Sequence, residues 1–136
     1  MRIPERQAGV GRQAFALRAL LPAANIVLRA DSLTATFELQ PTSASRRYRV
    51  RLNYRHGTAP DVAVLHPALA LRDGATSLPH TYPGDRLCLH LPGQWRPTML
   101  LADTIVPWTS EWLLYYEIWL VTGTWHGGGH GTPTAT

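Results

Sequence analysis

Residues 78–125 read LPHTYPGDRLCLHLPGQWRPTMLLADTIVPWTSEWLLYYEIWLVTGTW, and the rest of the chain is arranged around them. They hold the only cysteine, Cys88, and all five tryptophans. Trp108, Trp112, Tyr115, Tyr116 and Trp119 recur at i, i+4, i+7, i+8 and i+11, one broad helical face. That spacing predicts a helix from Trp108 to Val121, opened behind Pro107 and stopped at Gly123. A shorter helix is expected over Met99 to Val106. So wide an aromatic stripe reads as core. Ahead of these helices, Arg86-Leu87-Cys88-Leu89-His90 follows the turn-forming run Tyr82-Pro83-Gly84-Asp85. It reads as a short extended segment.

Upstream, residues 12–21 place Ala14, Leu17, Leu20 and Leu21 at helical spacing, and Pro22 ends that helix. The period then changes to two. Ile26 and Leu28 begin a strand, and Asp31-Ser32 is a turn. Leu33, Ala35, Phe37 and Leu39 mark one face of a second strand; Tyr48, Val50, Leu52 and Tyr54 mark a third. Val62 and Val64 indicate a fourth after the His56-Gly57 turn. Strands this close together, with no helix between them, predict a four-stranded antiparallel meander with one solvated face. Residues 66–87 carry Pro, Gly and Asp without a period and predict a long irregular connection. The class expected is α+β: an N-terminal helix, the meander, then C-terminal helices. Residues 1–125 make one domain, and residues 126–136, rich in glycine, a flexible tail.

Charge is divided unevenly. Residues 1–60 hold ten arginines against three acids, +7, and residues 61–136 hold three against six, −3, summing to the +4 of the chain. Every basic residue is arginine, for which a GC-rich genome is a sufficient cause. Arg47, Arg49, Arg51 and Arg55 share one face of the third strand, while its aromatics alternate onto the other face. A nucleic-acid stacking platform needs the two interleaved, so an acidic protein partner or plain solvent fits this face better. A single cysteine excludes an intrachain disulfide framework and fits a reducing cytoplasm. Arg18 breaks the only early apolar run, and Glu117 interrupts the best candidate for a membrane span. No Gly-rich phosphate loop is present, and no cofactor is expected. His126 and His130 flank three glycines, but with only Cys88 as a third ligand they make no metal site.

The residues alone leave Cys88 with two readings. A free cysteine is commonly a small buried hydrophobe. A thiol on a loop beside a rigid scaffold also suits covalent catalysis. Pro79-His80 precedes Cys88-Leu89, and Trp95-Arg96-Pro97 follows. This resembles the active-site stretch of ubiquitin-conjugating enzymes, a His-Pro-Asn turn, a Cys-Leu pair and Trp-x-Pro, with His80 standing where that family has asparagine. The run Ala102 to Leu113, with Tyr116 to Leu120 after it, is more specific. It resembles small bacterial ubiquitin-conjugating-like proteins of antiphage operons that signal by cyclic oligonucleotides (CBASS). The similarity covers about residues 76–130, with agreement in pattern only over 12–66.

The resemblance implies a ubiquitin-conjugating-enzyme-like fold with Cys88 as nucleophile. It implies as partner a cyclic-oligonucleotide synthase of the cGAS/DncV-like nucleotidyltransferase type, whose C-terminus forms a thioester on the cysteine. His80 would then support the oxyanion, raise the thiolate fraction, or only satisfy backbone in its turn. His90, two residues past Cys88 on an extended chain, shares its face and is a second proton-handling candidate. Asp85 and Asp103 are candidate carboxylates for orienting an amine. Two other functions fit the same residues: a non-catalytic adaptor with Cys88 buried, and a nucleic-acid-binding domain using the arginine face.

Overall fold

The computed structural model describes residues 7–127, so the glycine-rich tail lies outside the described residues apart from His126 and Gly127. Helix α1 (Val10–Leu20) begins two residues before the expected start and turns Gln13, Ala14 and Leu17 inward. Leu20, expected on the buried face, is instead 50% exposed. The inward stripe contains a polar residue because both ends of its amide are paired. Gln13 Oε1 accepts from the Leu101 amide at 2.8 Å, and Nε2 donates to the Met99 carbonyl at 2.8 Å. A buried amide is tolerated when both its ends are paired.

Strands β1 (Asn25–Leu28), β2 (Ser32–Leu39), β3 (Tyr48–Arg55) and β4 (Asp61–His66) form the expected antiparallel meander. Leu33, Ala35 and Phe37 of β2 are buried, as are Tyr48, Val50, Leu52 and Tyr54 of β3. The β3 arginines take the opposite, exposed positions. Arg55 pairs with Asp31 at 3.8 Å, and both side chains are well exposed, so the pair adds little stability.

The sheet does not stop at four strands. Two short strands, β5 (Thr81–Tyr82) and β6 (Arg86–Leu87), extend it beyond β4 in the order β1-β2-β3-β4-β6-β5. Two-residue strands carry too little alternation to be visible as a pattern, which is why 66–87 reads as wholly irregular.

The expected helix over Met99–Val106 is replaced by a single 3₁₀ turn, Leu101–Asp103, and helix α2 runs from Ile105 to Thr122. Pro107 therefore lies inside the first turn of α2 rather than separating two helices. Its missing N–H is no loss there, since the first turn's amides have no intrahelical acceptor. Gly123 ends α2 with φ of 80°, its amide donating to Trp119 O at 2.8 Å. A Cβ at this position would collide with the Arg72 guanidinium. Ile105, Val106, Trp112, Leu113, Tyr116 and Trp119 of α2 join the inner faces of the sheet and α1 in one core. Among the described residues no helix is long and apolar enough to cross a membrane.

Candidate functional site

Helix α2 does more than fill the core; its aromatic tips hold the connection between β4 and β5. The Tyr116 hydroxyl accepts from the Ala70 amide at 2.7 Å, and Trp112 Nε1 donates to the His80 carbonyl at 3.1 Å. Leu69, Ala75 and Leu78 of the same connection pack on the core from outside. The segment is irregular in dihedral angle and fixed in position.

His80 ends that connection with φ of 51°, in the left-handed region that non-glycine residues seldom enter. Its carbonyl accepts twice, from Trp112 Nε1 and from the Cys88 amide at 2.9 Å. The second bond continues the β5–β6 ladder, in which Tyr82 faces Arg86 and Thr81 faces Leu87. Between the strands, Pro83-Gly84-Asp85 closes the hairpin, with Gly84 and Asp85 at φ of 81° and 57°. The Tyr82-Pro83-Gly84-Asp85 run thus sets the register that puts Cys88 directly across from His80.

Alternation continues past the strand. Leu87 and Leu89 are buried, while Cys88 and His90 are half-buried on the other side of the chain. The thiol is free. Its sulfur hydrogen-bonds the Tyr82 hydroxyl at 3.4 Å. Tyr82 lies diagonally across the hairpin from Cys88, within the reach of an aromatic side chain. The pairing with Cys88 raises the Tyr82 phenol above its ordinary pKa, because an ionised sulfur would take its hydrogen bond from the phenol proton, and partial burial adds to it, so the hydroxyl keeps its proton at neutral pH.

The His80 ring stacks on Trp125, centroids 4.9 Å apart at 27°. Trp125 folds back after α2 and also meets Trp112 at 5.4 Å and Tyr115 at 6.2 Å. Burial under these rings pushes the His80 imidazole below its ordinary pKa, so the ring is neutral at pH 7. His90 Nδ1 donates to the Leu91 carbonyl at 2.9 Å, which leaves Nε2 as the ring nitrogen available to take a proton. That ring lies 5.8 Å from Trp108.

Of the remaining residues singled out by sequence, Asp85 is exposed at the hairpin tip and Asp103 is exposed on the 3₁₀ turn. The thiol's hydrogen bond runs to Tyr82 rather than to either. His126 is exposed, and His130 lies outside the described residues. No three His, Cys, Asp or Glu side chains among the described residues gather as a metal site would require. Beside the cysteine segment is a groove of about 340 Å³ lined by Pro60, Asp61, Tyr82, Arg86, Leu89 and Pro92.

Sequence reading missed Tyr82 and Trp125. The signal for Tyr82 lay in the hairpin run, since a three-residue loop sets which residues oppose one another. No local signal marked Trp125, which reaches His80 only through the fold.

No curated protein matches this chain. A family model described as Type II CBASS E2 protein matches residues 13–133, most of the chain's length. The helix, the antiparallel sheet and the long C-terminal helix are the α+β arrangement that an E2-like family implies. With the match spanning both the sheet and the Cys88 segment, the chain belongs to the Type II CBASS E2 protein family, a ubiquitin-conjugating-like family of antiphage signalling systems.

Proposed function

We propose that Cys88 is an acyl carrier. Its thiolate attacks the activated C-terminal carbonyl of a partner protein, the activating group leaves, and a thioester forms. An amine then attacks the same carbonyl, the tetrahedral intermediate expels the Cys88 thiolate, and the amine's surplus proton passes to a base. The partner we propose is the cyclic-oligonucleotide synthase of the same defence system. The observation that carries this reading is a free, half-buried thiol on a segment fixed through His80 and Trp112, in a chain of an E2 family. A cysteine serving only as core would be expected to face inward with Leu87 and Leu89.

His80 contributes by geometry rather than by charge. Its neutral ring makes a cation beside the sulfur an unsuitable role at pH 7. Its carbonyl holds the cysteine segment in place, and its ring is a candidate donor to the oxyanion of the aminolysis step. His90, on the same side of the chain as Cys88, is the proposed acceptor for the amine's proton through Nε2. Asp85 and Asp103 enter none of these steps.

The test is co-expression with the synthase, followed by denaturing gels with and without thiol reductant. A covalent species removed by reductant should form, and Cys88→Ala should abolish it. An adduct that persists in Cys88→Ala overturns the assignment. If Cys88→Ala removes the adduct but leaves regulation of the synthase intact, the protein acts as an adaptor.

A further inference from the structure

The Tyr82 hydroxyl is the polar group bonded to the sulfur, and nothing in the chemistry above uses it. Its position is held by strand register and by Arg86. The β5–β6 register sets Tyr82 opposite Arg86, and the Arg86 guanidinium lies over the Tyr82 ring, 6.0 Å from its centroid. Arg86 is anchored in turn by Nε donating to the Pro83 carbonyl at 3.2 Å. The ring is 44% exposed, so it stands at the rim of the site with room for a substrate beside it.

We propose that Tyr82 is a further catalytic residue of the acyl transfer, its hydroxyl donating to the acyl oxygen once Cys88 is loaded. The inference rests on the thioester reading of Cys88. In the free protein the thiol is the donor and the phenol oxygen the acceptor. Acylation replaces S–H by S–C, so that donor is gone, and a thioester sulfur is a poor acceptor. The phenol oxygen loses that partner, and its own O–H, which the thiol did not occupy, is close to a carbonyl oxygen two bonds from the sulfur. A hydroxyl rotates to suit its partner, so the redirection needs no backbone movement. When an amine attacks, negative charge grows on that oxygen, and a hydrogen bond already in place strengthens in the transition state. The C–S bond breaks, the thiolate leaves, and the phenol keeps its proton throughout.

Tyr82→Phe deletes the hydroxyl and keeps the ring under Arg86. The probe is the mercaptoethanesulfonate thioester of N-acetylglycine, which loads a cysteine by thiol exchange without a partner protein. The chain has one cysteine and no lysine, so the intact mass reports loading at Cys88 with little background. Loaded protein is then discharged by free lysine in single-turnover runs across pH. Tyr82→Phe should load within about 2-fold of the parent and discharge about 10- to 100-fold more slowly. That is below the full effect of a buried oxyanion donor because the site is open to water. The deficit should persist at pH values where the thiol is already ionised, since the donor acts after thiolate formation. Melting of the variant should match the parent, which separates this role from a structural one. Normal loading with unchanged discharge in Tyr82→Phe overturns the inference alone. Loading that survives Cys88→Ala overturns the thioester reading and this inference with it.

Discussion

Trp112 ties the core to the candidate site, so removing it should disturb both. Its ring is 3% exposed, stacks on Tyr116 at 5.7 Å and 10°, and meets Trp125 at 5.4 Å. Trp112→Ala empties that volume and also removes the donor to His80 O. Truncation of a buried Trp costs about 3–5 kcal/mol. Trp112→Phe keeps most of the ring and loses the hydrogen bond, at about 1–2 kcal/mol. For 136 residues the unfolding entropy is about 0.29 kcal/mol/K, so the expected falls in Tm are roughly 10–17 °C and 3–7 °C. Thermal and urea unfolding would measure both. Cys88 supplies a second reading as the only thiol. With one of its two donors gone, the His80 carbonyl restrains the hairpin less, and alkylation of Cys88 should quicken in Trp112→Phe. A Trp112→Ala protein that melts within about 3 °C of the parent, yet loses its partner, would refute the argument. The stripe would then face outward.

The His80 resonance should titrate below 6.5, and Trp125→Ala should raise its midpoint towards that value by uncovering the ring. Because the folded state disfavours the protonated ring, the unfolded chain binds more protons just below pH 6.5. Stability should therefore fall as pH drops from 6.5 through the folded midpoint, and less steeply in Trp125→Ala. His80→Ala should leave loading of Cys88 nearly intact and slow discharge to an amine; equal losses in both steps, shrinking at high pH, would instead show a role in ionising the thiol. Tyr48 donates to Glu117 Oε2 at 2.7 Å, and burial first, then this bond, holds its phenol far above the ordinary value. The unfolded chain loses that proton first, so stability should fall as pH rises above 10, and the slope should ease in Tyr48→Phe.

Local period placed most of the buried faces, Leu20 of α1 being an exception. Leu33, Ala35, Phe37, Tyr48, Val50, Leu52 and Tyr54 are buried on the face their alternation marks, and Trp112, Tyr116 and Trp119 are buried as the helical stripe requires. The Cys-Leu and Trp-x-Pro spacing carried the likeness to ubiquitin-conjugating enzymes, and the run Ala102 to Leu113 with Tyr116 to Leu120 carried the family, which the family model then matched over most of the chain. What the residues around Cys88 touch was not legible in this way. Gln13 meets Leu101 across 88 residues, and Trp112 meets His80 across 32. Trp125 reaches the imidazole only after α2 has been laid along the core. Two-residue strands also escape periodic reading, because each is settled by hydrogen bonds to partners outside its own segment. Sequence alone therefore determined most of the buried faces, above all those of β2, β3 and α2. Only the tertiary structure decided which polar atoms meet at the thiol, since a hydrogen bond depends on ångström distances between segments that no local pattern encodes.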